Sequence, residues 1–167
     1  MRHLKSEITD RTVYPVRLIN RGQEYLTLYY YTEEKKNSDY LLHDGKSIVY
    51  FASETEMKAF CEKNELNADG ETVDYDFDAP IDDPIEYCPI LENWNMLNTA
   101  AWSLGMYFEG DRDKYNGLYD LLFRLNTPLY PPDPPFTYTV GKRNLEGIRK
   151  VFRKKDRFFR RFTPYAN

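Results

Sequence analysis

The chain has 167 residues, of which 41% are hydrophobic and 30% are charged, and this composition excludes wholesale disorder and fits one domain with a buried core. No apolar run approaches the ~18 residues that a membrane-spanning helix needs, and the start lacks the apolar stretch of a secretory signal. The chain has two cysteines, which favours a reducing compartment over a disulfide scaffold. We therefore expect a soluble, cytoplasmic protein with a single domain over residues 1–167.

The first third of the sequence predicts an antiparallel β-sheet. Residues 12–19 and 24–31 are rich in β-branched and aromatic side chains and are separated by a turn that contains glycine, a pattern typical of two paired strands. Pro15 within the first run favours an edge strand or a β-bulge. Two further apolar runs flank Asp44 and Gly45, a dipeptide typical of a two-residue hairpin turn. We expect three or four antiparallel strands.

Helices are predicted after these strands, over residues 54–64, 90–104, 112–125 and 144–162. Ser53 and Glu56 form a capping box before the first helix, and Cys61 lies on its apolar stripe, which favours a packed thiol over a reactive one. Five prolines in residues 127–138 predict an extended connector. The predicted fold class is α+β, a single domain in which an N-terminal antiparallel sheet packs with three to four helices.

The charged residues are distributed unevenly along the chain. Residues 142–161 contain ten bases and two acids, a local charge of +8, and because the whole chain is −4 the rest carries −12. Residues 65–93 contain ten acids and no base. Six carboxylates lie in the densest part of that segment, DYDFDAPIDDPIE: Asp74, Asp76, Asp78, Asp82, Asp83 and Glu86. Because Val73, Tyr75 and Phe77 alternate with the first three acids, the pattern predicts a strand with one apolar face and one carboxylate face.

The sequence contains little of the chemistry that enzymes and metal sites use. A pairing of His43 with Cys61 or Cys88 is conceivable, but no nucleophile motif accompanies it. The two cysteines do not form the closely spaced pairs of a zinc site. The acidic run begins like a calcium loop, but Ala79 and Ile85 occupy the positions that require Gly and Glu, which leaves a looser divalent-cation site as an alternative. We expect no enzymatic activity and no cofactor.

The acidic segment has two interpretations. In the first, it is a solvated surface whose charge is offset by the C-terminal bases of the same chain. In the second, it mimics a nucleic-acid backbone for a basic partner, since thirteen extended residues span up to ~40 Å, about the reach of a standard protein–protein interface. Nucleases have basic clefts, so this arrangement favours a protein that inhibits such an enzyme by fast, tight binding.

A resemblance to a known family favours the second interpretation. An Asp-Gly turn, an apolar strand and a Ser-x-x-Glu helix start precede residues 92–126. The most recognisable motifs there are Trp94-Asn95, Ser103-Leu104-Gly105, Phe108-x-Gly110-Asp111 and Tyr119-Asp120-x-Leu122-Phe123. This pattern resembles bacterial immunity proteins of contact-dependent growth inhibition and related polymorphic toxin systems. The resemblance implies a cytoplasmic protein that covers the active site of a cognate toxin domain, often a nuclease, and it assigns no toxin-contacting residue.

The charge pattern assigns toxin binding to the six carboxylates of residues 74–86. A rival hypothesis uses the C-terminal helix, which would bind the phosphates of nucleic acid or lie on an anionic membrane. Its basic side chains are Arg149, Lys150, Arg153, Lys154, Arg157 and Arg160. The negative charge of the rest of the chain repels such polyanions. We therefore expect a toxin domain as the partner, with no small-molecule substrate, nucleic acid or membrane.

Overall fold

A mixed β-sheet with helices on both faces forms the body of the protein in the computed structural model, which describes residues 8–32, 39–126 and 137–166. The strands are β1 (Thr12–Asn20), β2 (Gln23–Tyr31), β3 (Asp39–Leu41), β4 (Ile48–Tyr50), β5 (Asn67–Ala68), β6 (Val73–Asp76), β7 (Ile85–Glu86), β8 (Thr137–Tyr138) and β9 (Phe162–Pro164). The helices are α1 (Glu54–Lys63), α2 (Tyr87–Ser103), α3 (Asn116–Asn126), α4 (Lys142–Phe152) and α5 (Asp156–Phe159). The predicted α+β fold class, with a single domain, is confirmed.

The central sheet has the order β3-β2-β1 and continues on the far side of β1 with β5 and β6. The pairs β1–β2 and β2–β3 are antiparallel, as predicted. Both β5 and β6, which lie beyond the predicted antiparallel strands in the sequence, run parallel to β1, so the complete sheet is mixed. The physical reason is the connection through α1, because a helical crossover returns the chain in the same direction.

Pro15 lies inside the sheet, so the predicted edge strand is wrong. Arg21 and Gly22 both have positive φ, 55° and 69°, and form the two-residue turn that joins β1 to β2. In an antiparallel pair of strands, residue pairs alternate between hydrogen-bonded and non-hydrogen-bonded. Counted from that turn, Pro15 is in a non-hydrogen-bonded pair, so its nitrogen points away from β2. On that side lies the break between β5, which pairs as far as Val13, and β6, which starts opposite Val16. A proline is tolerated because the ladder needs no hydrogen bond there.

The predicted hairpin at Asp44 has a longer turn than expected. The isolated bridge between His43 and Ile48 encloses four residues rather than two. Asp44 Oδ1 accepts hydrogen bonds from the backbone N–H groups of Lys46 and Ser47, both at 2.8 Å, and this Asx turn sets the wider loop. Strand β4 then pairs in parallel with β9, so the C-terminal segment is tied to the N-terminal half.

Helix α1 covers one face of the sheet. Ser53 Oγ accepts from the N–H of Glu56 at 3.2 Å, which confirms Ser53 as the N-cap. Glu56 Oε2 accepts from the N–H of Ala52 at 2.7 Å, so the reciprocal bond of the predicted capping box is formed one residue earlier than in the standard motif. Cys61 is 4% exposed and packs in the apolar cluster between this helix and the sheet. The prediction of a packed thiol is therefore confirmed.

The opposite face carries the larger core, to which α2, α4 and α5 contribute most of the helical side chains. The predicted helix over residues 144–162 is wrong beyond Phe152, where the chain breaks into α5 and then β9. The rings of Phe159 and Phe162 both pack on Tyr25, with centroid distances of 5.3 and 4.9 Å. A continuous helix cannot place Phe162 in this cluster and also in the strand that pairs with β4.

Two further predictions concern the segments around α3. The predicted third helix begins later than expected, at Asn116, because the 3₁₀ turns Glu109–Asp111 and Asp113–Tyr115 precede it. Most of the predicted proline connector, residues 127–136, lies outside the described residues. Its last two positions form β8, which pairs antiparallel with β7 and so joins the acidic segment to the chain before α4.

Candidate partner-binding surface

Strand β6 places the first part of the acidic segment beside β1. Its register sets Asp74 opposite Arg17, Tyr75 opposite Leu18 and Asp76 opposite Ile19. Tyr75 is half-buried and Phe77 is buried, whereas Val73 is 52% exposed. The predicted alternation of apolar and carboxylate faces is therefore correct for Tyr75 and Phe77. It is wrong for Val73, the first residue of the strand, which lies at the margin of the sheet.

One guanidinium serves three carboxylates next to β6. Arg17 lies 3.4 Å from Asp74, 3.4 Å from Glu24 and 3.9 Å from Glu54. The Arg17 side chain is 28% exposed, while each of the three acidic side chains is more than half exposed. One cation among three anions leaves a net negative charge at this position, on a surface that water and salt reach.

Asp78 holds a turn of the protein itself. Its carboxylate accepts hydrogen bonds from the backbone N–H groups of Arg21 and Gly22, both at 2.7 Å, and so fixes the β1–β2 connection. The ammonium group of Lys155 lies 4.0 Å away. The N–H of Gly22, followed by that of Arg21, keeps the pKa of Asp78 below its ordinary value. The Asp78 carboxylate is therefore directed at the β1–β2 turn and does not belong to a row of outward-facing carboxylates.

Asp82 and Asp83 attach the acidic segment to α4 and the residues before it. Asp82 Oδ1 accepts from Arg149 Nη2 at 2.7 Å, and Arg149 Nε donates to the preceding backbone carbonyl at 2.9 Å. Asp83 accepts from the N–H groups of Val140 and Gly141 at 3.0 and 3.2 Å. At these two positions the carboxylates are satisfied within the chain, as the first interpretation of the acidic segment expects.

Asp76 and Glu86 are exposed, and their contacts differ from those of the other four acids. Asp76 Oδ1 accepts from the backbone N–H of Asp78 at 2.8 Å, and Asn93 Nδ2 donates to the Asp76 carbonyl at 2.8 Å. Glu86 ends β7 and directly precedes α2. In the described ranges, neither carboxylate forms an ion pair with Lys or Arg. The six predicted residues are therefore spread around the segment and differ in what their oxygens contact.

A cavity of about 200 Å³ lies within the acidic segment. It is lined by Asp76, Asp82 and Glu86 together with the buried side chains of Phe77, Ile90 and Phe152. Ile90 belongs to α2 and Phe152 to α4, so only the folded chain brings these walls to the acids. Sequence reasoning missed the cavity because the local pattern around Ile90 and Phe152 is that of ordinary helix cores.

The basic stripe predicted along one C-terminal helix is interrupted, because α4 ends at Phe152. A different basic surface forms between α3 and α4. Arg149 and Arg157 both turn back onto the protein, the first through the carboxylate of Asp82 and the second through a backbone carbonyl. Lys114, Arg143 and Lys150 line a groove of about 530 Å³ between α3 and α4. Lys114 comes from the turn before α3, outside the basic C-terminal segment of the sequence.

The described ranges contain no group of three or more His, Cys, Asp or Glu side chains placed to hold a metal ion. In the same ranges no helix combines the length and the apolar character needed to cross a membrane. Burial raises the pKa of the Cys61 thiol, and burial with the charge of Glu92 raises that of Cys88. Both thiols therefore carry little thiolate at neutral pH.

The fold and this surface define the chain as a small α+β protein with an acid-rimmed cavity. No family model and no curated protein matches the chain. Among solved structures, the chain is similar to the C-terminal domain of SatS, whose crystal structure is in complex with bromine. The TM-score is 0.57 and the sequence identity is 12%, over 93% of this chain and 95% of that chain. At this identity the likeness concerns the fold alone.

Proposed function

We propose that this chain is a cytoplasmic immunity protein that binds and neutralises a cognate bacterial toxin, of the contact-dependent growth inhibition type or a related polymorphic toxin type. In this proposal the toxin is a nuclease, and the acidic segment covers its basic active site. The chain acts by binding alone, without a cofactor. The motifs in residues 92–126 support the family, and the acidic segment supports the mode of binding.

The observation that carries the proposal is exposed negative charge on a segment that contacts within the chain hold in place. Asp76 and Glu86 are exposed, while Asp78, Asp82 and Asp83 tie the same segment to the β1–β2 turn and to α4. A surface that is ordered before binding loses less conformational entropy on association. Its negative charge attracts a basic cleft and raises the association rate. All six predicted carboxylates thus contribute, Asp74 with Asp76 and Glu86 through charge and the other three through shape.

We expect a toxin domain to be encoded next to the gene for this chain, and that domain is the direct test of the proposal. We expect the purified chain to form a complex with that domain and to abolish its nuclease activity at stoichiometric concentrations, and co-expression to restore growth. A control variant replaces Glu62 with Gln and Asp120 with Asn, two exposed acids on other surfaces, and retains inhibition. If the two proteins elute separately in size-exclusion chromatography and a molar excess leaves the nuclease active, the proposal is refuted.

The two kinds of carboxylate predict different binding kinetics. Replacing Asp76 with Asn and Glu86 with Gln removes exposed charge, so association slows several-fold at low salt and less at ~0.15 M ionic strength, where screening is strong beyond ~8 Å. Replacing Asp78 or Asp83 with Ala loosens the segment and accelerates dissociation instead. Stopped-flow mixing with the toxin domain measures both rates. Unchanged kinetics in all four substitutions would contradict the assignment of this face.

The basic groove between α3 and α4 supports a second candidate function, binding of nucleic acid or an anionic membrane. Lys114, Arg143 and Lys150 line that groove, with Glu146 as an acid among them. Gel shift with duplex DNA and single-stranded RNA, and co-sedimentation with anionic vesicles, test it in ~0.15 M salt, where non-specific phosphate contacts are already weakened. Binding that is lost when these three bases become Gln supports this candidate.

A further inference from the structure

We infer that the cavity rimmed by Asp76, Asp82 and Glu86 receives one Lys or Arg side chain of a partner protein. The inference rests on the proposed function for the identity of that partner, the toxin domain. The dimensions and chemistry of the cavity belong to this chain alone, and they can be tested without the toxin.

The size of the cavity selects a single side chain as its occupant. Its volume of about 200 Å³ corresponds to about seven water molecules at ~30 Å³ each. Sites for drug-sized ligands typically have ~300–1,000 Å³. The space is therefore too small for a cofactor or a large metabolite, but it accommodates a long side chain that enters from a protein surface.

The cavity combines apolar walls with a negatively charged rim, which suits the aliphatic stem and the cationic head of a basic side chain. Phe77, Ile90 and Phe152 are 5–7% exposed and form apolar walls. Asp76 and Glu86 are exposed at the same cavity and have no cation paired with them among the described residues. Lys and Arg combine an aliphatic stem with a cationic head. An apolar occupant leaves the carboxylates unmatched, and an acidic one is repelled.

The rim is held in place before any partner binds. The amide of Asn93 donates to the Asp76 carbonyl, and the N–H of Asp78 donates to the Asp76 carboxylate, each at 2.8 Å. Arg149 fixes Asp82 at 2.7 Å. This last contact is also a precedent within the molecule, because a guanidinium already binds the same acidic segment from the α4 side. A preformed rim reduces the entropic cost of binding.

The position of α2 raises an alternative occupant, an anion. Pro89 and Ile90 line the cavity and belong to the first turn of α2, where a helix favours negative charge. Pro89, however, has no N–H to donate. The carboxylates of Asp76, Asp82 and Glu86 share the same space and repel an anion. The charge complementarity therefore favours a cation.

A titration with small side-chain analogues tests the inference on the full chain. The probes are N-acetyl-lysine amide and N-acetyl-arginine amide, and the control is N-acetyl-norleucine amide, which has an apolar stem without the charge. We expect saturable shifts of the backbone amide signals of Phe77, Ile81 and Ile90 in ¹⁵N-resolved spectra with both cationic probes. The norleucine probe is expected to bind about tenfold more weakly, because it lacks the charge that the rim recognises.

Two variants locate the binding in the cavity. Replacing Asp76 with Asn and Glu86 with Gln is expected to weaken both cationic probes about tenfold, while the spectrum keeps its native dispersion. Replacing Ala79, which also lines the cavity, with Leu is expected to block binding by filling the space. The control variant with Glu62→Gln and Asp120→Asn has the same change in net charge. It is expected to bind the cationic probes as the unmodified chain does.

The outcomes separate this inference from the proposed function. The inference is overturned if norleucine amide binds as tightly as the cationic probes, if the shifts map outside the cavity, or if the Asp76 and Glu86 substitutions change nothing. Loss of nuclease inhibition in the same double variant supports the cavity as the toxin contact. Cationic probes that bind while the toxin domain does not leave the cavity assignment intact and refute the proposed function instead.

Discussion

Replacing Asp78 with Ala is expected to destabilise the fold, although Asp78 lies in the most acidic stretch of the sequence. The Asp78 carboxylate accepts two backbone hydrogen bonds, from Arg21 and Gly22, each at 2.7 Å. A hydrogen bond to a charged group contributes ~1.5–3 kcal/mol. The Asp78 side chain is 35% exposed, so water replaces part of each bond in the variant. We expect a loss of about 2 kcal/mol in the free energy of unfolding.

Thermal unfolding followed by circular dichroism measures this loss. For a chain of this size, ~1 kcal/mol lowers the Tm by ~2–4 °C, so the expected decrease is about 4–8 °C. Replacing Asp82 with Ala is the matched control, because it removes the same charge from the same segment. Asp82 makes one exposed ion pair with Arg149, in which the side chains are 74% and 45% exposed, and such pairs contribute ~0–1 kcal/mol. Equal Tm changes in the two variants would refute the reasoning.

The pH dependence gives an independent check on Asp78. Because hydrogen bonding holds its pKa in the folded state below the ordinary value of 3.8, the carboxylate contributes its full stability above that value. The contribution is lost as the pH falls through the lower, folded-state pKa. The difference in unfolding free energy between the unmodified chain and the Asp78→Ala variant is therefore constant from pH 5 to 7 and closes at lower pH. A difference that widens on acidification contradicts this account.

Three further predictions concern packing and thiol chemistry. Gly110→Ala places a Cβ 2.4 Å from an aromatic carbon and is expected to lower the free energy of unfolding by ~1–3 kcal/mol, measured by urea unfolding. Gly117→Ala in α3 meets no atom within 4 Å and is expected to be neutral or slightly stabilising in the same assay. Ser103→Ala leaves a buried backbone N–H of β3 without its acceptor at 2.9 Å, at a cost of ~1–3 kcal/mol in the same assay. A thiol reagent is expected to modify half-buried Cys88 before buried Cys61, with rates that rise with pH because both pKa values are raised. Faster modification of Cys61 contradicts its packing.

The elements that could be predicted are those that a local pattern specifies. Strands β1 and β2 have continuous β-branched and aromatic runs around a glycine-containing turn. At the start of α1, the side chains of Ser53 and Glu56 both accept backbone N–H groups that lie within four residues. The end of α4 at Phe152 could not be predicted, since Phe and basic residues continue beyond it at spacings typical of an amphipathic helix. The position of Phe162 depends on Tyr25 and Ile48, which belong to distant parts of the chain.

The same limit applies to the candidate surface. The concentration of acids is visible in the sequence, but the roles of the single acids are not. Asp78 and Asp83 find their donors 56 to 58 positions away, so no local spacing reveals that they are structural. The apolar walls of the cavity, Ile90 and Phe152, come from two helices. A run of carboxylates therefore predicts where negative charge lies, and only the contacts show which charges are available to a partner.

This division has an energetic consequence for binding. A carboxylate that already accepts hydrogen bonds within the chain must exchange them for contacts with a partner, so its net contribution to affinity is small. Asp78 and Asp83 are in that position. Asp76 accepts one such bond, from the N–H of Asp78, and its other oxygen and the Glu86 carboxylate can exchange water instead. They do so beside apolar walls that become inaccessible to solvent when a side chain enters, where a charge pair is stronger than in bulk water. The free energy that this surface offers a basic partner is therefore concentrated at the cavity, although the six acids extend over all thirteen residues of the segment.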